Sequence, residues 1–160
     1  QEAVKWFRKA ADQNDPVAQC YLGFCFLTGQ GVPQECGEAA RWFREAAEQG
    51  DAAAQFNLGM LYETGQGVPQ NYAEAVKWSR FAADQGFPTA QYYLGVAYGN
   101  GQGVPKDLIQ SYKWFEVAAA HGYKDAIQGR QAAVERMTNA QIAEAQKLAR
   151  EWKPTGQSIR

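Results

Sequence analysis

The sequence predicts an all-α fold: a right-handed α–α solenoid of antiparallel helix pairs. Three observations predict it. The chain repeats itself every 36 residues, each unit carries apolar residues at helical spacing, and glycines and prolines recur where helices must stop and start. Repetition at this period marks stacked helix pairs, because one pair cannot bury its own apolar face while a stack can.

The repeat is carried by many columns in register. Trp6, Trp42, Trp78 and Trp114 follow one another at 36 residues, and Pro33, Pro69 and Pro105 keep the same period. So do Gly29, Gly65 and Gly101, the Leu-Gly pairs beginning at Leu22, Leu58 and Leu94, and Gln19, Gln55 and Gln91. The complete units are 15–50, 51–86 and 87–122. Residues 1–14 are the second helix of an incomplete unit, which places the start of the chain inside a repeat and points to a longer protein.

In each unit the first helix is marked by a stripe such as Ala18, Leu22 and Phe26, spaced by four. Asp15 before Pro16 predicts an N-cap followed by proline in the first turn, where its missing N–H costs nothing. Gly29 predicts the stop. The second helix carries Ala39, Trp42, Phe43, Ala46 and Ala47, the i, i+3, i+4, i+7, i+8 pattern of a buried face. Gly50, Gly86 and Gly122 end these helices, with Asn14 in the equivalent place in the first. In the third loop Asp107 can cap, as Asn71 can in the second. Glu35 is a poorer cap and Gly37 a weak helix former, so the loop of the first unit is the weakest.

After the third unit the pattern decays. Ala126 keeps its column, but Arg130 stands where leucine is expected. Thr138 and Gln141 form a capping-box pattern, and a last helix through Ile142, Ala145, Ala149 and Trp152 is expected to cover the end of the core. Residues 123–152 are thus a degenerate repeat with a capping helix, and 153–160 a flexible tail. At the other end Trp6 and Phe7 lack the first helix of their own unit, which predicts self-association there.

The strings AQFNLGMLYETGQGVPQNYAEAVKWSRFAADQG and AQYYLGVAYGNGQGVPKDLIQSYKWFEVAAAHG resemble the Sel-1-like repeat, a relative of the tetratricopeptide repeat. The resemblance covers residues 1–122, and the ending MTNAQIAEAQKLAREW is similar to the terminal helix of many bacterial members. It implies a tetratricopeptide-like superhelix, a protein-binding adaptor role and a bacterial source. Compartment stays open between cytoplasmic and periplasmic or secreted. Two other roles remain beside the adaptor: a cell-wall-related enzyme or ligand-binding protein, as suggested for some relatives, and an architectural segment of a longer solenoid.

Composition narrows the partners. A formal net charge of -1 gives no basic surface for nucleic acid or anionic lipid. No apolar run approaches the ~20 residues that span a bilayer, and no signal peptide is evident. The Gly29-Gln30-Gly31 string recurs in every unit and lacks the lysine and hydroxyl of a phosphate loop, so it reads as a turn. His121 is the single histidine, with no serine or cysteine identified to pair with it, so no catalytic residue is assigned. Cys20, Cys25 and Cys36 do not follow metal-ligand spacing, and no second histidine completes a set. Free thiols, no metal and no cofactor are expected. In cysteine-rich members of the family a disulfide joins the end of a second helix to the next first helix. Ala47 and Ala83 occupy that place here. The basic row Lys5, Arg8, Arg41, Arg44, Lys77, Arg80 and Lys113 reads as a solvated face, with Arg8, Arg44 and Arg80 paired to Asp12, Glu48 and Asp84 four residues on.

The first helices carry the candidate site. Opposite the core stripe they present Val17, Cys20 and Phe24, then Phe56 and Met60, then Tyr92, Val96 and Asn100. A solvent face should be polar, and large apolar residues there mark a binding surface. The resemblance implies that these helices line a concave groove. Tyr21, Asn57 and Tyr93 flank it as hydrogen-bonding groups, and Glu63 and Asn100 favour a segment with a donor or cation at one end. The first helices of the complete units contain no Lys or Arg. The expected ligand is therefore an apolar peptide or helix, not a carboxylate terminus.

Overall fold

The computed structural model describes residues 2–155. They form nine α-helices: α1 (Glu2–Ala11), α2 (Pro16–Thr28), α3 (Cys36–Glu48), α4 (Ala52–Thr64), α5 (Tyr72–Asp84), α6 (Pro88–Asn100), α7 (Leu108–Ala120), α8 (Asp125–Val134) and α9 (Asn139–Glu151). No described residue lies in a strand. The expected all-α class of paired helices is what the chain forms. Contacts divide it into two units, one ending at Trp78 and one starting at Ser79, so that the boundary falls within α5.

In the first unit α1 packs on α2, α2 on α3, and α3 on α4. Asp15 caps α2 as its sequence position predicts, accepting from the backbone N–H of Val17 at 2.9 Å and of Ala18 at 3.0 Å. Asp51 caps α4 through the Ala54 N–H at 2.7 Å. These bonds satisfy donors that the first turn leaves without a helical partner. Gly29 stops α2 at φ 73°, a left-handed conformation that costs glycine nothing. Leu22, Leu58 and Phe43 are fully buried in the core. The Leu-Gly column has a packing cause: a Cβ on Gly23 would lie 2.7 Å from the Phe43 ring, so only glycine lets α3 come this close to α2. Glu35 begins α3 without a side-chain cap bond, as expected of the first loop.

In the second unit α7 is the centre, packed by α6, α8 and α9. Phe115 of α7 lies against glycine on two helices, since a Cβ on either Gly95 or Gly129 would meet its ring at 2.6 Å. Asp107 caps α7, while Phe87, where the earlier units have aspartate, gives α6 no side-chain cap. Thr138 and Gln141 form the expected capping box. α9 buries Ala145 beside Tyr112 and Ala133. Trp152, at its C-terminal end, sits edge-on to Trp114 with ring centroids 6.2 Å apart. Arg130 finds Glu116 at 2.6 Å, which explains how a charged residue replaces leucine where the stack decays. Of the expected flexible tail, residues 156–160 lie outside the described residues. Thr155 is held, its N–H donating to the Asp84 carbonyl at 2.8 Å.

Candidate functional site

The faces proposed from the sequence differ between the two units. On α2, Val17, Tyr21 and Phe24 follow the i, i+4, i+7 spacing and are 66%, 39% and 44% exposed. The helix is apolar on both sides because its core face already holds Ala18, Leu22, Cys25 and Phe26. Tyr21 stacks on Phe7 of α1 at 3.9 Å between ring centroids. α4 touches α2 and adds Phe56, Asn57, Met60 and Glu63, all half-buried. The Thr28 and Thr64 hydroxyls bond back to the Phe24 and Met60 carbonyls at 2.9 Å, so the rim of this face is less polar than its sequence suggests.

Cys20 lies half-buried on the same helix. Burial, then the charge of Asp51 and a hydrogen bond to it, push the Cys20 thiol up to about 12. It is therefore a neutral thiol, not a nucleophile, at ordinary pH. Cys25 is buried and Cys36 half-buried, and all three are free cysteines.

In the second unit the expectation of an exposed row does not hold. Tyr92 stacks on Tyr123 at 4.7 Å and tilts against Phe115 at 5.6 Å, and Val96 packs on the cluster of Phe115, Ala118 and Ala126. The reason is α8, which lies on both α6 and α7 and makes this side of α6 part of the core. Asn100 is exposed at the end of α6 and Tyr93 is half-buried. Asn57 is also not the open donor expected, since its Nδ2 donates to Ala53 of its own helix at 2.9 Å.

The basic row requires a second correction. Arg44 does not pair with Glu48. Its guanidinium donates to the Tyr62 hydroxyl at 2.6 Å, and Arg80 donates likewise to Tyr98. Arg8 lies over the Phe26 ring. A tyrosine or phenylalanine eighteen residues on recurs with each arginine, so these cations tie a second helix to the following first helix. The pairs along a helix are instead Arg41 with Glu38 at 2.8 Å and with Glu45 at 3.5 Å, and Lys77 with Glu74 at 3.2 Å.

One group was visible as a period but not as a role. Gln19, Gln55 and Gln91 are fully buried, and their Nε2 atoms donate to the carbonyls of Ala11, Ala47 and Ala83 at 3.4, 3.1 and 3.0 Å. Each is a second donor to a last-turn carbonyl that already accepts the backbone N–H of Asn14, Gly50 or Gly86, so the side chain reinforces the turn that ends the preceding helix. Gln49 donates to Gln19 Oε1 at 2.6 Å, and His121 Nδ1 meets Gln91 Oε1 at 2.8 Å. The histidine thus does the work of its glutamine sisters. The signal in the sequence was a polar residue kept beside the apolar stripe. Among the described residues no cluster of His, Cys, Asp or Glu could hold a metal ion, and no helix is long and apolar enough to cross a membrane.

A family profile described as Sel1 repeat matches residues 1–15, 16–51, 52–87 and 88–123. Among solved structures, a protective antigen present in uropathogenic Escherichia coli strains, displaying an SLR fold, is 36% identical with a TM-score of 0.86. The match covers 94% of this chain and 32% of that one, so this chain spans about a third of that protein. A Sel1 repeat protein from Oxalobacter formigenes is 39% identical with a TM-score of 0.75, over 82% of this chain and 99% of that one. No curated protein matches the chain.

Proposed function

Because this chain belongs to the Sel1 repeat family, whose members are generally protein-interaction scaffolds and typically non-catalytic, we propose that it holds an apolar segment of a partner protein against α2 and α4. The observation that carries this reading is the exposed row Val17, Tyr21 and Phe24. Leaving such a row in water is unfavourable, and a partner that covers it recovers ~25 cal/mol for each Å² of apolar surface removed from solvent. Phe56 and Met60 extend the face, and methionine and aromatic rings give contact area that adapts to different segments. Tyr92 and Val96 are left out of this surface because they pack against the Phe115 cluster.

The test is the double variant Val17→Ser with Phe24→Ser, titrated beside wild type against an array of apolar decapeptides. Circular dichroism on the same samples is expected to be unchanged, because neither residue is buried. Capture of the peptides that wild type retains should fall about tenfold or more. Equal capture by a folded double variant would move the binding surface elsewhere. Failure of wild type to capture any peptide would favour an architectural segment.

A further inference from the structure

A second site lies where α9 crosses α7. A cleft of about 560 Å³, open to solvent, is bounded by the C-terminal ends of these two helices and by Pro154. Its walls are largely apolar, with Val117 and Ala120 on α7 and Ala149 on α9. Trp152 closes one side, and its position is fixed by edge contacts to Trp114 at 6.2 Å and to His121 at 5.5 Å between ring centroids. The size is that of a pocket for a small ligand or one large side chain with its backbone.

The polar groups around this cleft are mostly spent. Glu116 is neutralised by Arg130 at 2.6 Å. Gln146 leans on the Tyr112 hydroxyl at 3.4 Å, and His121 is held through Nδ1 by Gln91. On α9 itself Lys147 and Glu151 face each other at 4.0 Å. Arg150 differs: among the described residues it has no ion pair and no hydrogen bond, and it lines the cleft beside Trp152. A guanidinium without a counter-charge at an apolar, aromatic-walled cleft complements a carboxylate attached to an apolar group. Its planar fork matches the two oxygens of a carboxylate.

We propose that the α7–α9 cleft binds the C-terminal carboxylate and last apolar side chain of a partner polypeptide, with Arg150 on the carboxylate and Trp152 against the side chain. An open cleft suits a chain end, since the rest of the peptide leaves through the solvent side. The first helices of the complete units, which carry no Lys or Arg, cannot do this. The site is independent of the α2–α4 face, and either can fail without the other.

The probes are acetyl-Ala-Ala-Phe as free acid, the same tripeptide as C-terminal amide, and acetyl-phenylalanine, titrated into the 15N-labelled chain. The free acid should shift the Arg150 Nε–H and Trp152 indole N–H signals. The amide should bind about tenfold or more weaker, for loss of a charge-assisted bond. Arg150→Gln should show the same loss on the free acid with its circular dichroism unchanged, and Arg150→Lys should keep part of the binding. The proposal is overturned if the amide binds as well as the acid, if Arg150→Gln binds like wild type, or if the tripeptide shifts neither signal. Equal affinity for acetyl-phenylalanine and the tripeptide would make the ligand a small aromatic acid and overturn the polypeptide assignment.

Discussion

Trp6 and Trp114 occupy the same column of the repeat and meet opposite fates. Trp6 is 68% exposed, with the Lys9 ammonium over its ring, while Trp114 is fully buried and meets Trp152 edge-on. Both stand one residue after a lysine and one before a phenylalanine. The difference is made by neighbours. α7 has α6 of its own repeat and also α9, whereas α1 has α2 beside it and no first helix of its own among the described residues. A repeat column therefore marks a place that can be buried, and the stacked helices decide whether it is.

The largest expected effect is a direct break of this comparison. Trp114→Ala should destabilise the chain by ~3–5 kcal/mol, because a fully buried indole leaves a cavity. Trp6→Ala should stay within ~0.5 kcal/mol of wild type, as for an exposed side chain. Urea unfolding of both variants checks this, and equal losses would show that column membership, not burial, sets the energy. We further propose that Trp6 is where copies of the chain associate. Sedimentation velocity should then show self-association in wild type that Trp6→Glu abolishes, and an unchanged distribution would remove the proposal.

A smaller effect is expected from the glutamine column. Gln91→Leu removes the side-chain donor to the Ala83 carbonyl, which keeps the Gly86 N–H, and the partner of His121, at ~1–3 kcal/mol for two hydrogen bonds lost. Gln91→Glu keeps the shape but replaces the donor with a charge, and should be at least as damaging. If Gln91→Leu unfolds at the same urea concentration as wild type, the buried amide is not needed to end α5.

What the sequence made legible was local. The stop at Gly29, the cap at Asp15 and the capping box at Thr138 each depend on a few consecutive residues, and each stands where expected. The candidate face was legible on α2 but not on α6. Whether Tyr92 is free depends on α8, a degenerate helix whose pattern gave no guide to where it would pack. Arg44 has an acid four residues on, so a pair along the helix was the natural reading. Its actual partner, Tyr62, lies across a loop and a repeat boundary. The α7–α9 cleft lay beyond any periodic argument, because α9 belongs to no repeat and its approach to α7 is a tertiary fact.

The smallest expected effect compares loops within the same repeat pattern. α7 begins at Asp107, whose carboxylate accepts from the Ile109 and Gln110 N–H groups at 2.9 and 3.0 Å. Asn71 does the same for Ala73 and Glu74 at 3.1 Å. α3 begins at Glu35 with no such bond, and Gly37 follows in its first turn. Gly37 has no neighbour within 4 Å of where a Cβ would sit, so its presence answers no packing need. A missing cap at an exposed helix start costs ~0.5–1 kcal/mol and a glycine in a helix ~0.5–1 kcal/mol against alanine. Together these should raise the local opening of residues 35–38 about tenfold over 71–74 and 107–110, read as faster amide exchange. Glu35→Asp with Gly37→Ala should bring the first loop to the rate of the other two. If 35–38 already exchanges as slowly as its sisters, the bond from the Glu35 N–H to the Phe26 carbonyl at 2.9 Å is enough to hold the turn, and the side-chain cap adds nothing measurable.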